Sequence, residues 1–294
     1  MIDNSRRIRW LARALLALLL CPPLLATATD DATALQAQYQ KLQPALQDSQ
    51  FGRPLHLSSQ EDGGALRGDT WAIVEHEFAV VSPALQETAA WCDILILHLN
   101  VKGCISEGNR LRLYAGRKFD QPLDDSYPLD FTYRLLKAEP DYLQLEMTAA
   151  DGPVGTEDYR ITLEAIPLPS GRSFLHLGYA YRYGFAARTA LKGYLATIGR
   201  DKVGFSVVGR QADGSPEYVG GTRGIIERNT LRYYLAIDAW LNSLGQPTAE
   251  RVDSRLQEWF EQTERYPLQL HEMGRHEYLD MKRKEIARQK TLSF

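Results

Sequence analysis

The three cysteines among 294 residues form no paired-cysteine metal pattern. Net charge is only −3, too little positive character for a nucleic-acid surface. Beyond the first twenty residues no apolar run is long enough to span a bilayer. The common hydrolase and acyl-transfer signatures are missing too, with no G-x-S-x-G elbow and no S-x-x-K. There are no internal repeats and no low-complexity block. These absences remove several function classes and name none.

The N-terminus is more informative. "MIDNSRRIRWLARALLALLLCPPLLATATDD" has a basic start (Arg6, Arg7, Arg9, Arg13), an apolar core at Leu11 to Leu20, a break at Pro22 and Pro23, and the small-residue stretch Ala26–Ala28. That pattern predicts a signal peptide over 1–28, with an uncleaved anchor as the alternative. Cys21 follows three leucines rather than the small residues of a lipoprotein signal, so it is expected to leave with the leader. The mature chain would carry 30 basic against 36 acidic side chains, a charge of −6. Export, most simply to a bacterial periplasm, is the expected localisation.

Export leaves Cys92 and Cys104, which bracket "WCDILILHLNVKGC". An even pair in an oxidising compartment predicts a disulfide. The short loop would contribute roughly 3 kcal/mol on the chain-entropy model. Three alternatives stay open: a pair of inert thiols, a metal site with His98, and a nucleophilic cysteine, for which nothing nearby orients a base. For the metal reading, C-x5-H-x5-C lacks a fourth ligand.

Residues 31–48 read as a helix weakened at Pro44. A Gly-bearing loop, "SSQEDGGALRGD", follows. "TWAIVEHEFAVV" alternates and reads as a strand, with Ala72, Val74, His76, Phe78 and Val80 on one face. Ser82 and Pro83 mark a helix start. "EGN" turns one hairpin. Four alternating segments then place Leu129, Phe131, Tyr133; Leu143, Leu145, Met147; Tyr159, Ile161, Leu163; and Leu175, Leu177, Tyr179, Tyr181 on apolar faces. Short connections make them an antiparallel meander. "FAARTALKGYLATIGR" returns to helical period. A hairpin around Asp213-Gly214 and helices over 223–245, 248–267 and 269–290 complete the chain, the last read as a solvated helix.

This order, with "SPALQETAAWCDIL" after the first strand and "DGPVGTEDYRITLEA" entering a late one, resembles the helix-grip fold of the START and SRPBCC superfamily from about Trp71 to Arg200. The resemblance implies an α+β fold: a curved antiparallel sheet of about seven strands gripping a helix, with an apolar cavity between them and extra C-terminal helices. It divides the chain into leader 1–28, N-terminal helix and loop 29–70, helix-grip-like domain 71–200, and a hairpin and helical extension 201–294 packed on the same domain. It also implies that Cys92 on a helix and Cys104 on a strand staple helix to sheet, with Asp93, His98 and Lys102 flanking.

Candidate ligand-binding residues are His76, Tyr133, Tyr159, Tyr179, Tyr181, Arg188 and Arg223. An apolar wall with a few hydroxyls is what small-molecule sites use. His76 on an apolar face reads as a base, a ligand handle or a satisfied core residue. Arg223 in "GGTRG" could hold an anion at a helix start, though the segment lacks a phosphate-loop ending. Arg228 and Arg232 beside Glu227 read as an anion clamp or an internal salt-bridge network. "HEMGRH" puts its second histidine at i+5, off one helix face, so no metal is expected. No cofactor is expected either. "KRKEIARQK" offers a basic contact for an anionic lipid surface, or simply a solvated helix end. The expected function is an exported protein holding an apolar or amphipathic small molecule, a lipid among the candidates. The rivals are a cyclase- or hydrolase-like enzyme on the same fold, and a ligand-free structural or interaction protein.

Overall fold

A computed structural model describes residues 31–184, 189, 193, 197 and 200–294. The expected leader and Arg188 lie outside the described residues. So do most of the segment 185–200 read as the gripped helix, Phe185 and Tyr194 included. The described chain is α+β, with an eight-stranded antiparallel sheet as its frame.

After helix α1 (Asp31–Gln47) come β1 (Leu55–Asp62) and β2 (Ala65–Val74), then α2 (Phe78–Leu85) and α3 (Thr88–Leu95). The strands β3 (Val101–Glu107), β4 (Arg110–Ala115), β5 (Tyr127–Glu139), β6 (Tyr142–Asp151), β7 (Thr156–Pro167) and β8 (Ser173–Tyr183) follow as a meander. Sheet order is β1-β2-β8-β7-β6-β5-β4-β3. The last meander strand thus returns to pair with β2, while α2 and α3 carry the chain from β2 to the opposite edge. That connectivity is a helix-grip arrangement.

Two local readings change. The Gly-bearing stretch is not a loop: Gly63 and Gly64, both at positive φ, turn the β1–β2 hairpin, a backbone that glycine adopts without strain. "FAVVSPAL" is helix α2, with Pro83 inside it and Ser82 buried rather than capping. The alternation ends at Val74, because Phe78, Val81 and Leu85 bury together at helical spacing.

The apolar faces of the meander match their reading. Across the sheet one row runs Ser59, Gly68, Tyr179, Ile161, Met147, Tyr133. The next row on the opposite face includes Asp69, Gly178 and Thr162. On that opposite face α1 lays Leu35, Leu42 and Leu46 against Ile73, Tyr142, Ile166 and Phe174.

The helix the sheet grips is α4 (Gly221–Ser243), which packs on β1, β2 and β8. The sequence reading had placed it among the additions after Arg200. Gly68 decides where it sits: a Cβ there would come 2.2 Å from Thr230 Oγ1, so only glycine lets helix and strand approach this closely. After the hairpin β9 (Val207–Arg210) and β10 (Pro216–Tyr218), α5 (Arg251–Glu264) and α6 (Pro267–Leu270) pack on α4, and α7 (Arg275–Gln289) packs on α5 and β3. Ile226, Leu231, Leu235, Ile237 and Leu241 are essentially inaccessible. Each such side chain contributes roughly 1.5–3 kcal/mol by burial.

Because α4 is surrounded, its charges are paired internally. Glu227 accepts from Ser59 Oγ, Ser206 Oγ and the Phe205 and Ser206 amides. Arg232 donates to Glu272 and the Leu270 carbonyl, and Asp238 pairs with Arg53 at 2.8 Å. The network reading of Arg228 and Arg232 therefore fits the geometry, with Arg228 donating to the Val203 carbonyl. The tail is not a solvated helix: in α7, Tyr278, Met281, Lys282 and Glu285 are buried. Cys92 on α3 and Cys104 on β3 form a disulfide with Cα atoms 5.1 Å apart, stapling helix to sheet.

Candidate functional site: a cavity between sheet and helix

The sheet is wider than the helix laid in it. With α4 held on the β1, β2 and β8 side, no helix among the described residues is seated on the concave surface over β4 and β5. A cavity of about 420 Å³ occupies that space, within the range of small-molecule sites (about 300–1,000 Å³). Leu113 and Leu129 and Phe131 supply the apolar wall, and Tyr159 and Tyr179 close the far side. Asn229 and Tyr233 reach in from α4, and His98 from the turn after α3. Arg117 and Asp125, of opposite charge, also border it, with the exposed Tyr127 and Val154 at its rim.

The interior groups are uncharged at neutral pH. Burial pushes the hydroxyls of Tyr159, Tyr179 and Tyr233 above their ordinary range. Burial, reinforced by Arg232, Lys282 and Lys118, pulls His98 well below its ordinary value. The rings interlock: His98 stacks on Tyr233 at 4.7 Å, and Tyr179 meets Tyr233 edge-on at 5.1 Å. Tyr159 Oη donates to Thr156 Oγ1.

Of the residues singled out in the sequence, Tyr159 and Tyr179 are brought together at this cavity. Tyr133 shares their sheet face but donates to the Gln86 carbonyl at 2.8 Å, where burial pushes its hydroxyl up to about 12. Tyr181 stacks on Tyr159 at 5.2 Å and lines a separate hollow of about 580 Å³ beside Arg67, Arg160 and Arg182. His76 is not on the strand. It lies between β2 and α2, half-buried, with Nε2 2.6 Å from Asn242 Oδ1. Arg223 is engaged by β1, donating to Ser59 Oγ and the Ser59 carbonyl. Neither His76 nor Arg223 borders the cavity. Trp240 on α4 and Trp259 on α5 do not line the cavity either; the Trp259 indole donates to the Arg232 carbonyl.

His98, Asn229 and Tyr233 were not among the residues proposed for binding. In the sequence His98, midway between the two cysteines, offers itself as a metal ligand or, under the resemblance, as a residue flanking the staple. No metal-holding group of three or more His, Cys, Asp or Glu occurs among the described residues.

A second polar cluster lies under α1, on the opposite face. His176 on β8 places Nε2 2.8 Å from Asp69 Oδ1 and Nδ1 2.8 Å from Glu164 Oε2, with Trp71 stacked on its ring at 4.8 Å. Tyr142 and Arg67 complete the carboxylates' partners. Against the lowering effect of burial, the two carboxylates raise His176, and it in turn lowers both. This clamp ties β2, β8 and β7 together.

No family model matches the sequence, and no curated protein does. Solved structures that overlap the chain include human StAR-related lipid transfer protein 5, at 12% identity over 57% of this chain and 91% of that one, with a TM-score of 0.29. Norcoclaurine synthase from Thalictrum flavum overlaps at 9% identity over 47% and 76%, TM-score 0.31. A conserved protein from Enterococcus faecalis overlaps at 9% over 81% and 92%, TM-score 0.30. Overlaps this loose carry no argument about ligand; the helix-grip arrangement rests on the strand order and on α4.

Proposed function

We propose that the protein is a binding protein, exported from the cell, that holds an amphipathic small molecule in the cavity between the sheet and α4. The observation that carries this reading is the chemistry of the wall: apolar side chains over most of it, with uncharged hydroxyl, amide and imidazole groups converging at one end. Each ligand methylene buried there contributes roughly 0.8 kcal/mol. Lipids are the natural candidates. The disulfide, a feature of oxidising compartments, supports export, and N-terminal sequencing of the secreted protein would identify the cleavage site.

The enzyme reading has no comparable support. His76, its first candidate base, bonds Asn242 and does not border the cavity. Binding is tested with the neutral fluorophore N-phenyl-1-naphthylamine and by native mass spectrometry of protein as purified. Ala115 borders the cavity and is half-buried. Ala115→Trp is expected to abolish fluorophore uptake with circular dichroism unchanged. A wild-type protein with a clean apo mass and no uptake would overturn the proposal.

A further inference from the structure

One polar atom at the inner end of the cavity lacks a well-formed hydrogen bond among the described residues. The Asn100 amide donates to His98 Nδ1 at 3.1 Å, so in the neutral ring the proton resides on Nε2. His98 is 2% exposed and borders the cavity beside Asn229, whose side chain acts on the ring, and Nε2 makes no hydrogen bond of good geometry among the described residues. A buried N–H left unpaired is destabilising. An acceptor brought by a ligand would relieve that.

The surroundings indicate which kind of acceptor. Lys118, Lys202 and Arg232 share the single carboxylate of Glu272. Lys102 and Lys282 share that of Glu285. Cations therefore outnumber carboxylates by three in these two clusters. Arg232, Lys282 and Lys118 all act on the His98 ring. Asp120 bonds Lys284 at the surface, and Asp125 is matched on the cavity border by Arg117. Among the described residues, the inner end is a region of positive potential with a donor bordering it and no carboxylate bonded to that donor.

We propose that this end receives the carboxylate of a long-chain monocarboxylic acid, with His98 Nε2–H donating to one carboxylate oxygen and the alkyl chain lying along Leu113, Leu129 and Phe131. This rests on the binding reading and adds head-group selectivity to it.

The test is displacement of N-phenyl-1-naphthylamine from the full-length mature protein at neutral pH by dodecanoic acid, dodecanol and dodecylamine, which share one chain. The acid is expected to displace at about tenfold lower concentration than the alcohol, and the amine is expected to be weakest. His98→Leu should bring acid and alcohol together while fluorophore binding persists. His98→Gln, which restores an N–H donor, should recover part of the preference. Should His98 variants fail to fold, Lys118→Gln, at a side chain 28% exposed, is expected to narrow the acid–alcohol gap. Equal displacement by acid and alcohol in wild type, or a preference for the amine, would overturn the head-group proposal while leaving the binding reading intact. Absence of fluorophore uptake would overturn both.

Discussion

Glu285 is the side chain on which the packing of α7 against β3 depends most. Lys102 and Lys282 are wholly buried, with their ammonium groups 3.0 and 2.7 Å from its two oxygens. Lys282 also donates to the His98 and Val101 carbonyls. Glu285→Gln would strand two buried ammonium groups without a counter-ion. Breaking a buried pair in this way costs about 3–5 kcal/mol. For a chain of this size that lowers Tm by on the order of 10 °C.

The pH dependence is a second, independent readout. Burial holds Lys282 down to about 8 from its ordinary 10.5, so between those values the unfolded chain binds more protons than the folded one. Stability must then rise with pH through that window. The shift of about 2.5 units corresponds to about 3 kcal/mol in total. Lys118, held down to about 8 by burial and Arg232, acts in the same direction. Above about pH 10 the buried tyrosines reverse the sign, because Tyr179, Tyr234 and Tyr278 are raised and the unfolded chain ionises first. Lys282→Met removes one ammonium and leaves Lys102 and Glu285 a neutral pair. It should stay within about 2 kcal/mol of wild type at neutral pH, losing its two carbonyl bonds but also a desolvated charge. It should also lose the Lys282 share of the alkaline rise. Urea unfolding followed by circular dichroism from about pH 7 to about pH 10 measures both. Stability of Glu285→Gln within about 1 kcal/mol of wild type, or a wild-type profile flat across the window, would refute the reasoning.

Three further outcomes are expected. Gly68→Ala drives a methyl into Thr230 and should cost about 1–3 kcal/mol by overpacking, with Thr230→Ala in the same chain recovering part of it; additivity in the double mutant would contradict the contact. In an NMR titration His176 should titrate above 6.5 and His98 below it; the reverse order would contradict both environments. The raised His176 contributes stability that is present below about 6.5 and lost as pH rises through its folded value, whereas lowered Asp69 and Glu164 lose theirs as pH falls through their folded values. Val154, a β-branched residue at φ 60° on the cavity rim, should be replaceable by Asn with a gain of about 1 kcal/mol, read from thermal unfolding; a loss of stability would show that the valine side chain, not its backbone, matters there.

Strand periodicity in this chain was legible because each meander strand has one buried face and tight turns, so Leu129 to Tyr133 and Leu175 to Tyr181 carry an unambiguous period of two. The pattern misled at "TWAIVEHEFAVV", where the strand ends at Val74 and a helix begins four residues later. An apolar run that continues through a turn looks the same in either state. That α4 also packs into the sheet is not legible in the sequence, because this helix is buried nearly all round and carries Glu227, Arg228, Arg232 and Asp238 among its buried residues. Such a helix does not show the one-sided stripe by which amphipathic helices are recognised. Partners of those charges can lie far along the chain, as with Asp238 and Arg53, 185 residues apart. Spacing rules act within a few residues and cannot pair them. The same holds for His98 and Tyr233, which become neighbours only once α3 and α4 dock.

The central claim, that unfilled apolar room between sheet and α4 receives an amphiphile, is tested most directly by a crystal structure of the mature protein grown with dodecanoic acid. The account predicts continuous electron density for the chain beside Leu129 and Phe131, with its head within hydrogen-bonding distance of His98 Nε2. A space closed by the protein's own side chains, with the acid found elsewhere or nowhere, would contradict it.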